Sequence, residues 1–126
     1  MFVEWDLDNY RPNQKTNNEW IEIFKQKLSN NEPVVFAGHV VMPTGQGGHA
    51  SLITGYKNIY GAEYLKIHDT WSRTAKWWRV IKNTSMTLNG NTENNLLCFM
   101  RDNGESLFYL NGMVSLATQM ITTPSY

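Results

Sequence analysis

The sequence predicts an α+β domain: a central antiparallel sheet, one main helix packed on it, and a C-terminal β-meander. Three observations carry this. Trp20, Phe24 and Leu28 recur every four residues behind the tetrad Thr16-Asn17-Asn18-Glu19, which has the form of a helix capping box. Short apolar runs rich in β-branched residues, such as Pro33-Val34-Val35-Phe36-Ala37-Gly38, read as buried strands. Three Asn-Gly dipeptides mark the last third, and both central residues of a type I′ hairpin turn need positive φ.

Residues 1 to 15 are polar and aromatic, contain Pro12, and read as an extended arm. The helix that follows runs for about three turns, with Ile21 beside the apolar stripe, and ends at Ser29-Asn30-Asn31. The strand from Pro33 leads to a loop, Met42 to Gly48, punctuated by Pro43, Gly45, Gly47 and Gly48. His49 to Gly55 is a second strand, Lys57 to Gly61 a turn, and Glu63 to Asp69 a third strand with Leu65, Ile67 and Asp69 on one face. Trp77 to Ile81 is a fourth. Leu96 to Arg101, Ser106 to Leu110 and Met113 to Gln119 form the meander, turned at Asn103-Gly104 and Asn111-Gly112. The chain divides into a segment of residues 1–88 and an extension, 89–126, which either continues the same sheet or stands apart.

The 126 residues suffice for one modest core. Eleven basic and eleven acidic residues give a formal net charge of zero, so no basic excess points to nucleic acid or to an anionic membrane. No apolar run approaches the roughly 20 residues of a spanning helix. Met1-Phe2-Val3-Glu4-Trp5-Asp6 lacks the basic region and apolar core of a signal peptide. The single cysteine, Cys98, cannot form an intrachain disulfide.

The chemistry gathers in the middle. Gly47-Gly48-His49-Ala50 opens a strand where the backbone can pass close to a ligand. Asp69, at the end of the next strand among apolar neighbours, is costly there unless paired. A carboxylate bonded to Nδ1 of a histidine fixes the tautomer and leaves Nε2 as a base. His49 and Asp69 are thus the candidate catalytic pair, expected within hydrogen-bond reach on neighbouring strands. His39, His49 and His68 with Asp69 are numerous enough for metal ligands, but His68 and Asp69 point to opposite faces, so neither a metal nor a cofactor is expected. Gly45-Gln46-Gly47-Gly48 lacks the Lys-Ser/Thr of a phosphate loop. Trp71, Trp77 and Trp78 with Arg73, Lys76 and Arg79 either stack on a sugar or peptide or pack over a sheet edge.

From Trp20 to Trp71 the order of pieces resembles the C-terminal half of a C39-like, papain-like cysteine peptidase domain. Pro33-Val34-Val35, Gly47-Gly48-His49-Ala50, Gly55-Tyr56 and Asp69-Thr70-Trp71 carry the resemblance, which covers about 50 residues. It implies a papain-like sheet, a hydrolase, His49 as general base and Asp69 as its orienting residue. The family places a nucleophilic cysteine upstream, preceded by an oxyanion-hole glutamine. Here no cysteine precedes His49, Gln14 and Gln26 sit in the wrong context, and Thr70 stands where the family has proline.

Three readings follow. The chain belongs to a larger peptidase-like protein whose N-terminal segment carries the cysteine. Or it is a pseudoenzyme, a structural or binding module of a larger assembly such as a phage particle, with a peptide or protein partner. Or Cys98 is the nucleophile of a permuted arrangement, although its run Leu96-Leu97-Cys98-Phe99-Met100 reads as a buried strand. The chain alone is expected to be inactive.

Overall fold

A computed structural model describes residues 2–42, 45–71, 73–101, 104 and 107–123. Pro43, Asn103 and Ser106, on which parts of the reading above fall, lie outside them. In chain order come β1 (Phe2–Tyr10), a 3-10 turn (Pro12–Gln14), α1 (Asn17–Ser29), β2 (Val34–Met42), β3 (Gly45–Ile59) and β4 (Ala62–His68). Then come β5 (Lys76–Leu88), β6 (Asn91–Arg101), β7 (Leu107–Leu110) and β8 (Val114–Thr123).

The expected papain-like α+β architecture is not what forms. Strand accounts for 65% of the chain and helix for 15%, and six antiparallel strands close into a barrel. β2 to β7 pair in sequence order, and β7 returns to β2 through His39↔Tyr109, Val40↔Phe108 and Val41↔Leu107. β8 also pairs β2, and β1 pairs β8, so these two make a ribbon beside the barrel. Closure removes the exposed edges of an open sheet. It depends on one contact between segments some 70 residues apart, which apolar alternation does not encode.

The helix forms as its sequence predicts. Thr16 Oγ1 accepts from the Glu19 N–H, and the Glu19 carboxylate accepts from the Thr16 N–H, both at 3.2 Å. Trp20, Ile21 and Phe24 are buried, with Leu28 packed partly against them. α1 touches β2, β3, β5 and β6. In a ring of six, β2 faces β5 and β3 faces β6, so the helix lies across one mouth of the barrel. Inside are Val34, Phe36, Val40, Ile53, Leu65, Ile67, Trp78, Leu97, Phe99, Phe108 and Leu110.

The turn chemistry divides. Asn89 (φ 52°) and Gly90 (φ 80°) form the expected positive-φ pair between β5 and β6. Gly104 (φ 69°) sits between β6 and β7, its N–H donating to the Arg101 carbonyl. Asn111-Gly112, however, makes no hairpin, and the meander expected there is absent. β7 and β8 both run antiparallel to β2, so the chain keeps its direction through residues 111–113. Gly112 is needed for a different reason: a Cβ there would stand 2.1 Å from the Ala37 carbonyl oxygen. The glycine lets β7 pass into β8 across the backbone of β2, where the Ala37 N–H donates to the Met113 carbonyl at 2.8 Å. The expected loop from Met42 to Gly48 is also shorter, because Gly45, Gly47 and Gly48 are strand residues of β3.

Candidate functional site

His49 and Asp69 meet at the barrel mouth opposite α1. His49 pairs with Gly38 of β2, and its side chain shares the inner face with Ser51 and Ile53. Asp69 follows β4 in the alternation of Leu65 and Ile67, and is only 2% exposed.

Their contact is not the expected one. His49 Nε2 bonds to the main-chain carbonyl of Asp69, and the Thr70 hydroxyl lies 3.1 Å from the same nitrogen. A carbonyl oxygen only accepts, so Nε2 carries the proton, and in the neutral ring Nδ1 then holds the lone pair. This is the opposite of the tautomer expected for a base acting through Nε2. Nδ1 has no hydrogen-bond partner among the described residues. The Asp69 carboxylate is turned to its own chain, with Oδ1 accepting from the Trp71 N–H at 3.0 Å. That bond closes an Asx turn.

Within this turn Thr70 has φ 68°. A β-branched residue in the left-handed region is a rare and strained conformation. Proline, fixed near φ −65°, could not occupy it. The local backbone therefore departs from the proline-containing strand end of the C39-like family. The turn folds Trp71 back over the mouth. Its indole stacks on the His49 imidazole, with centroids 3.8 Å apart and planes at 25°. Phe108 lies behind both rings, 6.1 Å from His49 and 6.0 Å from Trp71. Phe108 continues inward to Trp78 and Phe36, so the stack at the mouth is the outer end of the aromatic core. Trp71 remains 48% exposed.

Cys98 lies on the other side of the wall. On β6 its neighbours Leu97 and Phe99 point into the core, and Cys98 itself pairs with Tyr109 and Ile81 on the outer face. It is buried there, and burial pushes its thiol up to about 12. The imidazole and the one thiol therefore face opposite ways.

His39, the neighbour of Gly38 on β2, points to the outer face and donates from Nε2 to Gln46 Oε1 at 3.1 Å. Among the described residues no group of three or more His, Cys, Asp or Glu side chains could hold a metal ion. The three tryptophans that the sequence clusters after Asp69 separate completely: Trp71 caps the mouth, Trp77 lies on the outer face, and Trp78 is fully buried. Phe108, nearly sixty residues from His49, had no signal in the sequence linking it to the motif.

Gly38, His39, Gly48, His49, Asn111 and Gly112 line a shallow groove of about 470 Å³ beside the mouth. A separate concavity of about 460 Å³ lies at the start of α1, lined by Pro12, Lys15, Asn17, Asn83 and Asn95 among others, away from His49. Among the described residues no helix is long and apolar enough to cross a membrane. No protein-family model, no curated protein and no solved structure matches the chain. The resemblance to C39-like peptidases thus rests on the motif residues alone.

Proposed function

We propose that this chain is a non-catalytic binding module, one component of a larger assembly, whose barrel mouth around Trp71 contacts a peptide or protein partner. One observation carries the reading: His49 is used as a packing and anchoring residue. Its Nε2–H is spent on the Asp69 carbonyl, and one ring face is covered by Trp71. The high pKa and outward position of Cys98 support the same reading, because nucleophilic attack needs a thiolate beside its base. A half-exposed tryptophan backed by fixed rings is the kind of rigid aromatic anchor that interfaces favour.

A second reading keeps one peptidase feature. His49 Nδ1 is uncommitted among the described residues, and a cysteine supplied by another segment or chain would meet the imidazole there. Purified alone, the chain should hydrolyse no peptide in a fluorogenic library. Cys98 should label slowly with an electrophilic thiol probe near neutral pH, at a rate that His49→Ala leaves unchanged. Fast labelling that His49→Ala abolishes would overturn the binding-module reading.

A further inference from the structure

The outer face of β3, β4 and β5 carries an arrangement that the overall charge hides. Strand pairing sets Lys57, Tyr64 and Arg79 side by side across the three strands. The next row is Gly55, Lys66 and Trp77. Lys57 Nζ lies 4.2 Å from the centroid of the Trp77 ring and 5.3 Å from that of Tyr64, and Lys66 Nζ is 5.9 Å from Trp77. A Cβ on Gly55 would come within 3.3 Å of the tip of the Trp77 indole, which therefore reaches across β4 to the glycine on β3. The ring lies along the sheet with a cation over it. The one acidic residue of these three strands, Glu63, alternates with inward Leu65 and Ile67, so their outward positions carry no carboxylate.

We propose that this face binds single-stranded nucleic acid, with Trp77 and Tyr64 as stacking platforms and Lys57, Lys66 and Arg79 as phosphate contacts. Aromatic rings flanked by cations on an exposed strand face are the chemistry that non-specific single-strand binders use, since every base has a π-face. Tyr64 and Trp77 are diagonal neighbours on adjacent strands, about 7–8 Å apart. That separation exceeds the rise of about 3.4 Å per nucleotide in a stacked duplex strand, so it suits bases splayed onto separate rings. In the free protein Lys57 rests over the two rings. A base would replace its ammonium there, and the ammonium would move to a phosphate. An acidic peptide would use the cations but not the rings. The zero net charge of the whole chain does not oppose this, because electrostatic footprints are local. The surface is separate from the His49 mouth, and its role does not depend on whether that mouth is catalytic.

Fluorescence anisotropy tests it on the intact chain. The probes are labelled oligonucleotides of about 12 residues, as single-stranded DNA and RNA, the matching duplex, and a polyglutamate peptide of equal length. The single strands should bind more tightly than the duplex and the peptide. Affinity should fall between about 50 and 200 mM salt, with a log–log slope near −2 if three phosphates are neutralised at about −0.7 each. Tyr64→Ala should weaken binding at least about fivefold. Lys57→Gln should weaken it and flatten the slope by about 0.7. Both positions are half-buried surface sites, so these variants keep the proposal testable even if Trp77→Ala unfolds the barrel. No single-strand binding at the lowest salt, equal binding of the duplex or of polyglutamate, or affinity untouched by Tyr64→Ala and Lys57→Gln would each overturn it.

Discussion

The imidazole of His49 lies against the indole of Trp71, their centroids 3.8 Å apart, although the motif that unites them sets them twenty-two positions apart. The stack is made possible by the Asx turn at Asp69 and the left-handed Thr70. It converts a histidine in a catalytic-looking sequence into the rim of an aromatic core. Aromatic pairs contribute roughly 0.5–1.5 kcal/mol beyond the area they bury. Trp71→Ala should therefore destabilise the fold by at least that much in urea unfolding, while Trp71→Phe retains most of the stability. An unfolding midpoint unmoved by Trp71→Ala would mean that the stack is not populated.

Asn17 fastens the helix to the long β5–β6 hairpin. Its Nδ2 donates to the Asn95 carbonyl and its Oδ1 accepts from the Asn83 N–H, both at 2.8 Å. Asn83 (φ 56°) and Asn95 (φ 58°) are both left-handed, and the β5–β6 register shifts between Ile81 and Thr84. Removing the amide leaves two main-chain groups without their partner, but Asn83 and Asn95 are themselves exposed, so water takes up part of each lost bond. Asn17→Ala should cost roughly 1–3 kcal/mol in chemical denaturation. Asn17→Asp keeps the acceptor for Asn83 and loses the donor for Asn95, so its cost should be real as well. Hydrogen exchange of the Asn83 amide separates the two, rising in Asn17→Ala more than in Asn17→Asp.

Among the described glycines, Gly112 has the closest backbone approach. A methyl group there would collide with the Ala37 carbonyl. Because the obstacle is main chain, relief requires β2 to shift. Gly112→Ala should destabilise by more than the roughly 1 kcal/mol typical of point substitutions. By contrast, Gly90→Ala, at an open hairpin tip, meets only the cost of a left-handed alanine. A melting temperature for Gly112→Ala equal to that of Gly90→Ala would contradict the crossing.

Cys98 predicts an alkaline window. Burial raises its thiol from 9.0 to about 12, so the folded state favours the neutral form. Stability from that preference is complete below about pH 9 and is lost as pH rises through about 12. Tyr56 and Tyr109 are also raised, chiefly by burial, and weaken the fold in the same direction at high pH. The difference between wild type and Cys98→Ala isolates the thiol. The wild-type stability minus that of the variant should stay constant below about pH 9 and fall above it. A difference that stays flat above pH 9 would mean a thiol of ordinary pKa, and one that rises between neutrality and pH 9 would mean a lowered one.

Local features were legible in the sequence, and closure was not. The cap at Thr16, the stripe of Trp20 and Phe24, and the inward alternation of Leu65, Ile67 and Asp69 depend on neighbours within a few residues, and each appears in the structure. Barrel closure depends on β7 finding β2, and a run of alternating apolar residues does not name its partner. Asn111-Gly112 shows the same limit: the dipeptide has hairpin chemistry, but the glycine answers a steric demand from Ala37, far away in sequence. At the mouth, spacing brought His49 near Asp69, yet not which oxygen of Asp69 it would meet. That was decided by Thr70 adopting positive φ, a conformation its β-branched side chain disfavours.

The protonation of His49 tests the central claim most directly. Long-range nitrogen–proton correlation spectra of the neutral ring distinguish its two tautomers. If Nε2–H is anchored on the Asp69 carbonyl, His49 will be the Nε2-protonated tautomer, with a lone-pair nitrogen at Nδ1. Cys98→Ser will leave that spectrum unchanged, because thiol and imidazole lie on opposite faces of the barrel wall. A ring protonated at Nδ1 with Nε2 free, the form expected of a base oriented by the Asp69 carboxylate, would contradict the account.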